Sequence, residues 1–155
     1  MNNFLIKDIR VWALSIPLMA ACAVSAVSAK AQTALPQPIV VDTPMVHDPV
    51  MAYENGKYYL YCTGHGVAQM TSTDRQHWTL NPQGVLKDEA RGAFPAWTHD
   101  SVPGYESHTW APDVIRYKEK WYMAYSCSTF GKNTSAIGLL SNTSLADTDG
   151  WKDEG

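Results

Sequence analysis

Basic residues are scarce in this chain. Its 12 Lys and Arg stand against 15 Asp and Glu, a formal charge of −3, which excludes a polybasic nucleic-acid binder. Charge of either sign is sparse, at 17% of the 155 residues. Neither a phosphate loop nor an arginine cluster occurs. Cysteine is rare too. Of the 3 present, Cys62 and Cys127 lie far apart with no C-x-x-C neighbour, and the 5 His never fall into H-x-x-x-H spacing. A local metal signature is therefore missing. Outside the N-terminal apolar run, no window sustains helical periodicity with caps, so no helix is expected. What the sequence has in excess is aromatic: Trp 6, Tyr 8 and Phe 3. Aromatic-rich, charge-poor chains build all-β folds and surfaces that stack on sugars and other flat ligands.

The first residues belong to targeting. Lys7 and Arg10 precede the apolar run Val11–Ala29, which ends at the A-x-A-like Ala29-Lys30-Ala31. This pattern predicts a secretory signal peptide over residues 1–31 and a secreted or periplasmic product, with no membrane partner after cleavage. A membrane anchor would need the same run intact, and Pro17 with the small residues after it favours cleavage. Leu18-Met19-Ala20-Ala21-Cys22 loosely resembles a lipoprotein box, which would leave a lipid anchor on Cys22. Residues 32–45 are Pro-rich and form an extended lead-in. In an exported compartment Cys62 and Cys127 either pair or stay as buried thiols, and both readings stand.

The rest alternates like strands. Pro49–Glu54 and Lys57–Thr63 flank Asn55-Gly56, a type I′ hairpin signal, and Val67–Thr71 and Trp78–Leu80 follow. After a long loop, Leu86–Thr109, the pattern returns in Asp113–Tyr117, Trp121–Cys127, Ala136–Ser141 and Trp151. At one constant offset Val50, Met51, Tyr53, Tyr58 and Tyr61 meet Val114, Ile115, Tyr117, Tyr122 and Tyr125. Two four-stranded units, each closing at a Trp, suggest β-propeller blades.

Candidate chemistry sits where each unit begins. His47-Asp48-Pro49-Val50 puts a carboxylate before the first strand, and Trp110-Ala111-Pro112-Asp113-Val114 has a similar build. Carboxylates from two blades converging on one axial cavity would suit glycoside hydrolysis, in which one activates water and another protonates the leaving oxygen.

These two segments, with Glu106–Trp110 and the stretch Ser128-Thr129-Phe130-Gly131-Lys132-Asn133-Thr134-Ser135-Ala136-Ile137-Gly138, together resemble glycoside hydrolase family 43, and within it the endo-α-1,5-L-arabinanases. The resemblance covers residues 46–155 and implies an all-β, five-bladed β-propeller that hydrolyses arabinan with inversion. It implies Asp48 as general base, Trp110 and Phe130 as stacking platforms for arabinose, and Asp113 in a structural or substrate-contacting role. Gly131 and Gly138 would let backbone approach the sugar; His47 and His108, which flank the motifs, read as hydrogen-bonded structural histidines, with orientation of these groups as the alternative. The implied substrate is arabinan or an arabino-oligosaccharide. No cofactor is evident; an axial calcium is implied only for the full-length family fold, through ligands of later blades.

The family's pKa-modulating Asp and general-acid Glu have no counterpart here, since Glu89, Glu106 and Glu154 lie in no matching context. The chain is therefore expected to hold about the first two blades and to be inactive by itself. Three alternatives share the pattern. One is an exo-acting arabinofuranosidase or β-xylosidase of the same family, and another is a non-catalytic arabinan-binding fragment. The third is a sialidase-like propeller, hinted at by Ser72–Trp78.

Overall fold

The structure, a computed structural model, describes residues 38–86, 95–105 and 108–155. The expected leader 1–31, Cys22, the start of the lead-in, Glu89 and Glu106 lie outside the described residues. Strand β1 (Ile39–Val41) comes from the lead-in and pairs antiparallel with Trp78, Thr79 and Leu80. Strands β2 (Val50–Glu54) and β3 (Lys57–Cys62) are joined through Asn55 and Gly56, both at positive φ (51° and 82°), the conformation the Asn-Gly signal anticipates. After β4 (Gly64–His65), strands β5 (Ala68–Ser72) and β6 (Trp78–Asn81) complete an antiparallel sheet of order β1-β6-β5-β3-β2. The second antiparallel sheet comprises β7 (His108–Tyr117), β8 (Lys120–Ser128), β9 (Ser135–Asn142) and β10 (Lys152–Asp153). Its order is β10-β9-β8-β7-β4, so β4 leaves the first unit to edge the second. Each expected four-stranded unit thus gains a fifth strand from elsewhere in the chain.

The loop expected over Leu86–Thr109 contains a helix, α1 (Ala96–Ser101). Both the amide and the hydroxyl of Thr98 donate to the Pro95 carbonyl (2.9 and 2.7 Å). Six residues are too few to show a 3.6-residue apolar period, and packing rather than propensity holds so short a turn. A single 3-10 turn, Thr148–Gly150, precedes β10.

The repeat is present, but its phase differs by one residue from the alignment of tyrosines. Glu54 pairs with Lys57 across one tight turn, and Tyr117 pairs with Lys120 across the other. Superposing these turns matches Val50 to Asp113 rather than Val114, and Tyr61 to Ala124 rather than Tyr125. A slip of one residue exchanges the two faces of a strand. In the corrected phase, Ala52, Glu54, Tyr59 and Tyr61 of the first sheet correspond to Ile115, Tyr117, Tyr122 and Ala124 of the second. The former set packs against the other face of the second sheet, in one core with Trp121, Met123, Tyr125 and Leu140. The sheets therefore pack head to tail, and the face carrying Ile115, Tyr117, Ile137 and Leu139 is exposed.

Burial of each large apolar side chain at this interface contributes about 1.5–3 kcal/mol. Cys127 lies in this core, whereas Cys62 lies in a second cluster with Leu60, Met70 and Trp78. Both are buried free thiols, and burial pushes both up. Ser72 and Asp74, the sialidase-like motif, serve the β5–β6 turn: Asp74 Oδ1 accepts the amides of Gln76 and His77 (both 2.8 Å).

Gly138 sits in mid-strand opposite Tyr125. A Cβ there would overlap the buried Tyr125 ring. Gly138→Ala is expected to destabilise the fold by about 1–3 kcal/mol, as overpacking does, measured by urea denaturation. An unchanged midpoint would show that the Tyr125 ring moves aside freely.

Candidate active site

Both sheets open with the same irregularity. On β7 the ladder to β8 slips between Trp110 and Asp113, a bulge that holds Ala111 at φ 43°. The chain entering β2 has the same form: the His47 carbonyl accepts the Thr63 amide (2.9 Å), and Asp48 stands at φ 51° before Pro49. Bulges re-aim side chains, and non-glycine residues at positive φ persist only where their surroundings hold them. His47, Asp48 and Thr63 thus match Trp110, Ala111 and Ser126, and all six line one cleft of about 800 Å³.

Asp48 is the one carboxylate in that lining among the described residues. Its Oδ2 accepts from His47 Nδ1 (2.7 Å) and from the Thr63 hydroxyl (2.9 Å). Thr63 Oγ1 in turn accepts the amide of Ala111 (2.9 Å), joining the two bulges. The Thr63 hydrogen bond, then that from His47, holds the Asp48 carboxyl below the usual carboxylate value. The group is therefore ionised at neutral pH, with its side chain 43% exposed to the cleft. A carboxylate in this state can accept a proton from water; it cannot donate one.

The far wall is aromatic. Trp110 and Phe130 meet edge to face, ring centroids 6.4 Å apart, and Phe130 is 90% exposed at the rim. Phe130 stands on a turn closed by Lys132 N–H donating to the Thr129 carbonyl (3.1 Å), with Gly131 at φ 74°. Glycine suits that conformation. Thr129 Oγ1 donates to the Pro103 carbonyl (2.9 Å), fixing this turn to the segment after α1. Ser128, Thr129, Gly104 and His108 complete the wall.

The cleft thus gathers Asp48, Trp110 and Phe130 with the two histidines, and Gly131 sits beside it. It does not gather Asp113 or Gly138. Asp113 is exposed, three residues past Trp110 and on the other side of the bulge, where it pairs with Ala124. Asp48 precedes its proline whereas Asp113 follows one, so the bulge aims them differently, and the expected convergence of two carboxylates is absent from the lining. Thr63, Gly104 and Ser126 are the lining residues that the motifs did not reveal. Among the described residues, no three His, Cys, Asp or Glu side chains come together as metal ligands.

The family model for glycosyl hydrolases family 43 matches residues 37–155. The chain belongs to that family. It is 42% identical over 113 residues to an extracellular exo-α-(1→5)-L-arabinofuranosidase of Cellvibrio japonicus, covering 71% of this chain and 31% of that protein. Over 115 residues it is 38% identical to an extracellular endo-α-(1→5)-L-arabinanase of Bacillus subtilis, covering 72% and 33%. Among solved structures it resembles an exo-1,5-α-L-arabinanase from a bovine ruminal metagenomic library, with TM-score 0.65, 50% identity, and 74% and 37% coverage. A Cellvibrio cellulosa α-L-arabinanase complexed with arabinohexaose aligns with TM-score 0.59 at 41% identity, over 71% of this chain and 34% of that one. This family-43 chain spans about a third of the length of the curated relatives it matches.

Proposed function

We propose that this chain forms the base-bearing part of an exported arabinan hydrolase, the first two blades of a five-bladed propeller. The observation that carries the reading is the ionised Asp48 carboxylate, clamped from two sides and facing a cleft rimmed by Trp110 and Phe130. An arabinose ring stacked on these aromatics presents its anomeric carbon to a water held by Asp48. The carboxylate takes the water's proton as the oxygen attacks from the face opposite the leaving group, which inverts the anomeric configuration. Protonation of the leaving oxygen needs a second carboxyl group, several ångströms across the cleft, and among the described residues the lining supplies none. A protein of full family length would bring that group from a later blade.

The head-to-tail packing of the two sheets supports the propeller. The exposed face of the second sheet corresponds to the face by which the first packs on the second, so a third sheet of the same build would find a matching surface. The extracellular relatives support export, and the arabinohexaose complex of one solved relative supports an arabino-oligosaccharide ligand. Relatives of both exo and endo type, at 42% and 38% identity, support either mode at this site. Product analysis separates them: one short product from chain ends, or a ladder of oligomers.

The chain by itself is expected to bind arabinohexaose and to release no reducing sugar from linear arabinan. Trp110→Ala is expected to weaken that binding about tenfold, or about 1.4 kcal/mol, the scale of one aromatic contact, by calorimetric titration. Unchanged affinity in a folded Trp110→Ala variant would remove the stacking role. Release of arabino-oligosaccharides by the chain alone would place a second acid among its own residues.

A further inference from the structure

We propose that Thr63 is the positioning residue of this site: its single hydroxyl ties the Asp48 carboxylate to the backbone of the neighbouring sheet at Ala111. The inference rests on the reading of Asp48 as the base and adds what aims it. Three hydrogen bonds carry it. Thr63 N–H donates to the His47 carbonyl (2.9 Å), Thr63 Oγ1 donates to Asp48 Oδ2 (2.9 Å), and the same oxygen accepts from Ala111 N–H (2.9 Å).

The consequence is geometric. Both hydrogen bonds that Asp48 accepts end on Oδ2, which leaves Oδ1 as the oxygen offered to a water. The hydroxyl proton has one place to go, because the Ala111 amide already occupies the acceptor side of Thr63 Oγ1. Two backbone segments at positive φ, one in each sheet, are thereby held at a fixed separation by one side chain. The orientation of the reacting carboxylate is then set by the register between sheets rather than by the loop that carries it. Preorganisation of this kind, in which a supporting side chain locks the rotamer of a reacting group, is what active sites require.

His47 also contacts Oδ2, but it belongs to the same loop as Asp48 and so cannot tie that loop to the second sheet. The other titratable group in the lining is His108, on β7. Ser126 occupies the place in the second sheet that Thr63 occupies in the first.

The test uses two variants of the chain. Thr63→Val keeps the shape and removes the hydroxyl; Thr63→Ser keeps the hydroxyl. The readouts are the pH titration of the Asp48 carboxylate carbon by NMR and hydrogen exchange at the Ala111 amide. Thr63→Val is expected to raise the Asp48 titration midpoint and to speed exchange at Ala111, and Thr63→Ser to restore both. If Thr63→Val fails to fold, exchange at Ala111 in the unmodified chain and in Thr63→Ser decides, because the tie requires that amide to be protected in both. A folded Thr63→Val with the Asp48 midpoint and Ala111 exchange unchanged would overturn the proposal and leave Thr63 a packing residue. The base reading fails separately: if Asp48 responds to Thr63 as expected, yet a full-length enzyme lacking the Asp48 carboxylate still hydrolyses arabinan, the tie stands and the base lies elsewhere.

Discussion

Asp48→Asn, in a protein of full family length, is expected to cut kcat for arabinan hydrolysis by about 10²–10⁴-fold, the usual contribution of a positioned general base. KM should change little, since the substituted amide has nearly the shape of the carboxylate and the aromatic wall is untouched. The pH profile carries a second sign. Only the ionised carboxylate accepts the proton, and Thr63 and His47 hold Asp48 below the usual value. The acidic limb of kcat/KM, which reports the free enzyme, should therefore fall below the range of an ordinary Asp, and above it the base is fully ionised. A kcat loss of less than about tenfold would contradict the assignment, because so small an effect is below what general-base catalysis supplies.

Glu54→Gln is expected to lower stability by about 3 kcal/mol, judged from the cost of leaving buried donors without an ionised acceptor. Glu54 is only 8% exposed, on β2 at the contact between the sheets. Its Oε1 accepts from Trp121 Nε1 (2.7 Å), and its Oε2 accepts from Ser144 Oγ (2.8 Å) and Leu145 N–H (2.7 Å). Burial pushes this carboxyl up, but the bonds from Trp121, Ser144 and Leu145 together outweigh it, and the net direction is down. A carboxyl whose folded value is depressed contributes stability that is full above its unfolded value, about 4.3 for Glu. That contribution is lost as pH falls through the folded value. The unmodified chain should therefore lose stability on acidification below about pH 4.3, and Glu54→Gln should lose less over that window. Thermal melting across pH checks both parts, with a drop of roughly 10 °C expected at neutral pH. A melting temperature within about 2 °C of the original would mean that the inter-sheet contact does not depend on this group.

What the sequence made legible was what local chemistry marks. Asn55-Gly56 announces its turn because few residue pairs tolerate two positive φ values. Asp48, Trp110 and Phe130 stood out because the residues around them resemble a family. The phase of the repeat was not legible, for a physical reason: tyrosines occur on both faces of these strands, so matching Tyr to Tyr aligned opposite faces. The same ambiguity put Asp113 beside Asp48 as a second cleft carboxylate, although the bulge at Ala111 and Pro112 sends it to the outer face. Thr63 and Glu54 carry no local signature at all. Each matters through partners far along the chain, Ala111 for one and Trp121 for the other, and such pairings exist only once the two sheets meet. The helix α1 escaped because its six residues are too few to display a repeating apolar period.

The most direct measurement is a ¹H–¹⁵N NMR titration of the folded chain with arabinohexaose. Shifts at the Trp110 indole and at the backbone amides of Asp48, Thr63, Ala111 and Phe130 are the expected result, with the exposed face at Ile115 and Ile137 unaffected. A folded chain in which those cleft resonances stay in place would contradict the assignment of this cleft as the arabinan site, as would shifts confined to the exposed face.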